Sequence, residues 1–206
     1  MRAALLGATG RTGKVILEQL LQMDISVTAL AREPEKLSEV RGPITIIQGN
    51  ALNDTCLSKA SDNADFVISA LSTDKSNTLQ RVVPLLINTM SSKGINRLIT
   101  IGTAGILCAR NNPSFYRFHT KESKRKNTTA ARDHAKAYEK LRASNLEWTI
   151  LCPTYLIDGP ETGRYRTEKD YLPINGKKIS TGDTAACAVS LLEERKWSNC
   201  RIGISY

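Results

Sequence analysis

Ala3-Ala4-Leu5-Leu6-Gly7-Ala8-Thr9-Gly10-Arg11-Thr12-Gly13 sets four apolar residues against glycines at every third place, with an amphipathic stretch behind them. An apolar run that stops at a glycine and resumes with helical spacing reads as buried strand, tight turn and helix start. Glycine turns tightly and lets the backbone approach a ligand with no Cβ in the way. The N–H groups of the helix start then face an anion, which in such a unit is a pyrophosphate. The spacing is GxxGxxG rather than the GxGxxG of the standard dinucleotide fingerprint. The strand before it and the helix after it are the context the motif needs. The alternative is a glycine turn that holds nothing. Thr9 and Thr12 add hydroxyls that can cap the helix or bond a phosphate.

Outward from this unit the pattern alternates strand and helix. Strands are expected over Ala3–Leu6, Ser26–Leu30, Ile44–Gln48, Phe66–Ser69, Arg97–Ile101, Trp148–Leu151 and Arg201–Ile204. Helices are expected over Arg11–Gln22, Glu35–Glu39, Thr55–Ser61, Thr78–Lys93, Thr128–Ser144 and Asp183–Glu194. Alternation of this kind predicts an α/β fold: a single Rossmann-like, doubly wound parallel sheet with helices on both faces. No linker, repeat or shift of composition divides it, so one domain over residues 1–206 is expected. Its crossovers should be right-handed, and its ligand should lie beyond the carboxyl ends of the strands.

Composition narrows the function classes. The chain has 206 residues, 41% of them hydrophobic, and no run as long as a membrane span. No charged-then-apolar leader precedes the first strand, and five scattered cysteines with no CxxC argue for free thiols in a reducing compartment. A cytoplasmic protein with no membrane partner is the expectation. No Asp/Glu/His cluster has metal-ligand spacing, and neither GxSxG nor a P-loop occurs. The net charge is +9. Much of it crowds into Arg110, Arg117, Lys121, Lys124, Arg125 and Lys126, with Phe115, Tyr116 and Phe118 among them. This segment reads either as a solvated, mobile loop or as a cationic rim over a polyanionic cofactor or substrate. No nucleic-acid motif accompanies it, so no nucleic-acid partner is expected.

The strand ends carry the candidate site. After the second strand stands Arg32, where an NAD-selective fold puts an acidic residue for the ribose 2′-hydroxyl. A guanidinium can stack on adenine and pair with a 2′-phosphate, and Lys36 lies one turn on, which favours NADP. Adjacent Glu33 pulls the other way. Asn50, Ala51 and Leu52 follow the third strand, where adenine contacts fall, and Leu71, Ser72 and Thr73 follow the fourth. Thr103 follows the fifth strand, and Pro153, Thr154 and Tyr155 follow the sixth. Small and hydroxyl residues at successive strand ends leave room for a cofactor across the sheet edge. His134 lies on the long helix, where packing and a cofactor contact are both open to it. His119 reads as a surface residue.

GATGRTG, LARxPxKL, HAKAYEKLRASNLEWTILCP, PETGRY and ISTGDTAACAVSLL resemble the atypical short-chain dehydrogenase/reductases. The similarity is to the NmrA-like, NAD(P)-binding branch that includes the biliverdin-IXβ/flavin reductases, and it spans essentially the whole chain. The resemblance implies a monomeric NADPH-dependent reductase that passes hydride to a small, flat conjugated acceptor: a flavin, quinone or tetrapyrrole. By position, Gly7, Thr9, Gly10, Arg11, Thr12 and Gly13 match the pyrophosphate turn, and Arg32 and Lys36 the 2′-phosphate site. Thr103 falls on an active-site serine, Tyr155 on an active-site histidine, and His134 on a histidine near the cofactor. Two departures stand out. Gly49-Asn50 replaces the family's Gly-Asp, and a phenol replaces an imidazole at Tyr155. The Tyr-x-x-x-Lys pair of classical members occurs only as Tyr165–Lys169, after the sixth strand instead of before it. On the helix that should carry it, Arg142 follows Tyr138. Arg164 and Arg166 of the PETGRY loop could hold a phosphate or carboxylate. The alternative function is a non-catalytic NADP-binding sensor of NmrA type that acts through a protein partner.

Overall fold

Alternation within single strands sets the two faces of the sheet. In β1 (Arg2–Leu6), Ala4 and Leu6 turn into one core while Ala3 and Leu5 turn into the other, so the strand is buried on both sides. The computed structural model, which describes residues 1–73 and 77–206, continues the alternation. After β1 come α1 (Arg11–Gln22), β2 (Ser26–Ala31), β3 (Ile44–Gln48), α2 (Asp54–Ala60), β4 (Phe66–Ser69), α3 (Thr78–Ser92), β5 (Arg97–Ile101) and α4 (Thr129–Arg142). Then follow β6 (Glu147–Pro153), β7 (Tyr155–Ile157), β8 (Arg166–Lys169), β9 (Lys178–Ser180), α5 (Thr181–Ser190) and β10 (Cys200–Ser205).

The main sheet runs β3-β2-β1-β4-β5-β6-β10-β8. From β1 the chain winds outward to β2 and β3, then returns to lay β4 on the other side. The switch point is therefore at the carboxyl end of β1, beside Gly7. Helices α1 and α5 pack together on one face, and α3 packs against α2 and α4 on the other. Fully buried leucines such as Leu5, Leu6, Leu17 and Leu98 each contribute about 1.5–3 kcal/mol by leaving water.

Three details differ from the expected fold. β8 lies antiparallel on β10 at the edge, so the sheet is not wholly parallel. Short β7 and β9 pair in a separate two-stranded ribbon. The helix expected over Glu35–Glu39 is one 3₁₀ turn, Pro34–Leu37. Leu37 is buried there, and Gly42-Pro43 soon returns the chain to β3, where Ile44 pairs with Val27. The chain has no room for a longer helix.

Candidate functional site

The glycines of the first turn divide their work. Gly7 adopts a left-handed φ of +81°, and a Cβ on it would lie 2.7 Å from the Ala70 carbonyl oxygen. A Cβ on Gly13 would lie 2.0 Å from the Gly7 oxygen, so α1 can sit on its strand only with glycine there. Gly10 is different: it is exposed, its φ is −80°, and a Cβ would meet only the Gly7 oxygen at 3.3 Å. The fold requires Gly7 and Gly13 and leaves Gly10 bare toward solvent. Arg11 and Thr12 follow it into α1. Among the described residues no side chain caps this helix, and no acid stands in its first turn, so its first N–H groups are left without an internal acceptor.

The other four α-helices begin differently. Asn53 accepts from the Cys56 N–H on α2, and Asn127 accepts from the Thr129 N–H on α4. Buried Asp133, carried on α4, accepts from Leu79 N at 3.1 Å and Gln80 N at 2.9 Å, which closes the start of α3. Ser180 caps α5, and buried Asp183 in its first turn accepts from Thr162 N at 2.7 Å, Gly163 N at 2.8 Å and the Tyr206 hydroxyl at 2.6 Å. Burial raises the Asp183 carboxyl, but the bonds from Tyr206, Thr162 and Gly163 outweigh it and hold the group at about 2. Neither aspartate stood out as a site residue in the sequence. Ser180-x-x-Asp183 carries the capping-box spacing that could have revealed the second.

Around the turn, Arg32 is exposed at the end of β2 and makes no ion pair or hydrogen bond among the described residues. Lys36 does not share this freedom. It pairs with Glu33 at 2.7 Å on the surface, and that contact lowers the Glu33 carboxyl. Asn50 folds back to accept from Leu52 N at 2.9 Å, Ala51 is buried in the core, and Leu52 packs on the same core. Leu71 lines a small internal cavity of about 20 Å³ with His134, Ser69, Thr100 and Tyr138. Burial pushes the His134 imidazole down to about 4, with Asp133 opposing, so the ring is neutral near pH 7. Ser72 is exposed, and its hydroxyl donates to the Thr73 carbonyl. The Thr73 hydroxyl is a buried group with no partner among the described residues.

A cleft of about 490 Å³ opens beyond β5 and β6. Thr103, Pro153, Thr154 and Tyr155 all line it, so four residues expected at strand ends do share one wall. Thr103 sits at the start of the 3₁₀ turn Ala104–Ile106, its hydroxyl accepting from Gly105 N at 3.4 Å. Tyr155 is 63% exposed, and its hydroxyl has no partner among the described residues. Lys124, Arg125 and Lys177 stand at the same cleft. The basic segment is anchored at its root: Arg110 pairs with Glu168, Arg117 with Glu122 at 3.5 Å, and Phe118 is buried. Buried Arg201 bonds Asp170 at 3.1 Å and the Ile106 carbonyl, and lies 4.5 Å over the Tyr138 ring.

One expectation for the PETGRY loop changes, and one reading, that Tyr165–Lys169 is a coincidental spacing, stands. Arg166 donates to the carbonyls of Ile174 and Tyr206, both at 2.8 Å, and so closes the fold instead of facing a ligand. Tyr165 packs into the core around α5, where burial raises its phenol, and Lys169 pairs in register with Ile202; the spacing is no catalytic pair. Tyr138 is buried under Arg201 and edge-on to Trp148, which removes it as an acid too. Among the described residues, no helix is long and apolar enough to cross a membrane.

The chain has recognisable relatives. A family described as NAD(P)H-binding matches residues 7–195. The uncharacterized protein YwnB of Bacillus subtilis is 25% identical over 201 residues, covering 94% of this chain and 92% of that one. A Burkholderia pseudomallei structure, named as a candidate exported protein, superposes with a TM-score of 0.87 at 26% identity, each chain covered completely. A Streptococcus pneumoniae structure, named as a candidate NADH-flavin reductase, gives 0.84 at 25% identity over 100% of this chain and 99% of that one.

Proposed function

The chain belongs to the NAD(P)H-binding family, and from that premise we propose that it is an NADPH-dependent reductase whose acceptor is flat and conjugated. The observation that carries this reading is the open start of α1. Among the described residues, the first turns of the other four α-helices each give at least one N–H to a side chain, α4 only that of Thr129 to Asn127, whereas no such bond is seen at the start of α1. A bare Gly10, an unpartnered Thr73 hydroxyl and an unpaired Arg32 fit a dinucleotide along that edge.

In this reading the backbone of Gly10, Arg11 and Thr12 would hold the pyrophosphate, and Arg32 would pair with the 2′-phosphate. Lys36 is a reserve charge that must leave Glu33 to help. Asn50 to Leu52 border the adenine, Leu71 to Thr73 with His134 border the ribose, and Pro153 and Thr154 close the nicotinamide end. When bound, the nicotinamide would supply the hydride. Thr103 and Tyr155 orient the acceptor in the cleft they share. Tyr165, the tyrosine of the Tyr-x-x-x-Lys spacing, and Tyr138 are packed away, so neither serves as the classical acid. Flavins and quinones accept hydride with little acid assistance, which suits such a site. The name of the pneumococcal neighbour, a candidate NADH-flavin reductase, supports the flavin acceptor, though not the preference for NADPH.

The test is loss of NADPH absorbance with FMN, a quinone or biliverdin, with NADH in parallel. Turnover with NADPH well above NADH is expected. Tight NADPH binding with no turnover on any acceptor would replace the reductase with the sensor reading.

A further inference from the structure

Tight turns favour Gly, Pro, Asn, Asp and Ser. Two linked turns of this molecule each carry a large apolar residue as well. At the first, Phe115 N–H meets the Asn112 carbonyl at 3.0 Å, and the Phe115 carbonyl accepts from Ala109 N at 2.9 Å. Phe115 is 50% exposed. At the second, Gly176 N–H closes on the Pro173 carbonyl at 2.9 Å, and Ile174 between them is 61% exposed. Arg110 joins the two turns. It follows Ala109 in the chain, its guanidinium donates to the Leu172 carbonyl at 2.8 Å, and it lines one cleft with Ile174.

Cations surround these tips. Residues 110–126 hold six lysines and arginines against one carboxylate, Glu122, and Lys177 and Lys178 follow the second turn, in a chain whose whole net charge is +9. Glu122 is already engaged by Arg117 at 3.5 Å. Lys121, Lys124, Arg125, Lys126, Lys177 and Lys178 are exposed and make no ion pair among the described residues. Lys124, Arg125 and Lys177 line a second cleft that shares Leu172 and Gly176 with the first, so tips and cations form one continuous surface. Buried Phe118 and the Arg110–Glu168 pair hold that surface to the fold.

Exposed cations attract any polyanion, and the apolar tips select among them. A phosphate backbone gives Ile174 no apolar partner. Acyl chains just below anionic headgroups receive both tips and need no matching pocket. We infer that this face docks on the surface of an anionic lipid bilayer, its lysines and arginines at the headgroups and Phe115 and Ile174 in the acyl boundary. The contact is peripheral, since no helix among the described residues is long and apolar enough to cross a membrane. It departs from the expectation of no membrane partner, which rested on the lack of a span, and it stands apart from the reductase reading.

The test is sedimentation of the full chain with vesicles of equal parts phosphatidylserine and phosphatidylcholine, against phosphatidylcholine alone. The protein should pellet with the first and stay in the supernatant with the second. The variant Lys121→Gln, Lys124→Gln, Lys126→Gln should lose about a hundredfold in partition, and the variant Phe115→Ser, Ile174→Ser about tenfold. Two conservative variants separate lost chemistry from a lost fold. Lys121→Arg, Lys124→Arg, Lys126→Arg and, separately, Phe115→Leu, Ile174→Leu should both partition as the wild type does. Equal pelleting with both vesicles overturns the inference, as does no pelleting with either. Binding that survives the glutamine variant, or that vanishes in a conservative one, overturns it too. So does undiminished partition of the serine variant, which would make the face a plain polyanion site. A single-stranded oligonucleotide bound more tightly than the vesicles, by wild type and serine variant alike, would assign the face to nucleic acid instead.

Discussion

Helices α1 and α5 lie side by side on one face of the sheet, yet their first turns are built oppositely. α5 starts with Ser180 and a buried Asp183 that gathers Thr162, Gly163 and Tyr206. α1 starts with a bare glycine and no acid. Both ends carry the same partial positive charge, so the difference lies in who supplies the counter-charge. At α5 the chain supplies it, which ties the 160–163 loop to Tyr206. At α1 the charge is left for something else. The general lesson is to compare the helix ends of one fold, because an end without an internal acceptor stands out only beside those that have one.

The strongest challenge to this contrast is Asp183→Ala. It strips the acceptor from several donors in a buried site and should lower unfolding free energy by about 3–5 kcal/mol in urea, without changing NADPH affinity in the folded protein. A loss below about 1 kcal/mol would mean that the aspartate does not hold this end together.

Acid titration comes next. His134 has a folded-state value of about 4 against an ordinary 6.5, so the unfolded chain binds its proton first as pH falls. Stability should therefore drop between pH 6.5 and 4, by up to about 3 kcal/mol, and His134→Gln should flatten that limb. Asp183 acts lower: its contribution is whole above 3.8 and is lost as pH falls toward about 2. Urea midpoints across pH separate the two, and a variant that keeps the upper limb would acquit the histidine.

Gly10→Asp gives α1 the counter-charge that α5 already has. Its extended backbone accepts any residue, so stability should hold or rise by up to about 1 kcal/mol. NADPH affinity should fall about a hundredfold by calorimetry, because the carboxylate occupies and repels the phosphate position. Unchanged affinity would break the comparison outright. Arg32→Ser is the mildest test: the ratio of NADPH to NADH affinity should drop about tenfold, with NADH itself little changed.

The sequence revealed most where a segment's neighbours were local. α1, β3, β4 and β5 have the bounds their patterns predict, because apolar spacing and glycine punctuation act within a few residues. β8 was missed: Arg166-Thr167-Glu168-Lys169 has no strand pattern of its own and pairs only with β10, more than thirty residues on. Asp133 was missed for a similar reason, since its partners Leu79 and Gln80 lie more than fifty residues away. Thr103 and Tyr155 line one cleft because strand ends share an edge. The partners of Lys36 and Arg166, Glu33 and two carbonyls, were not legible, because a lone cation in a sequence does not disclose which acceptor will reach it first.

The position of β10 between β6 and β8 has a consequence for how the molecule is made. In chain order the glycine turn and Arg32 come long before β10, so they leave the ribosome first. β8 can join the sheet only after β10 has been synthesised, because β10 is its sole neighbour. The contacts Arg110–Glu168 and Asp170–Arg201, which root the cleft's basic segment and its floor, wait for that moment. The residues that open α1 are therefore synthesised long before the contacts that complete the cleft can form.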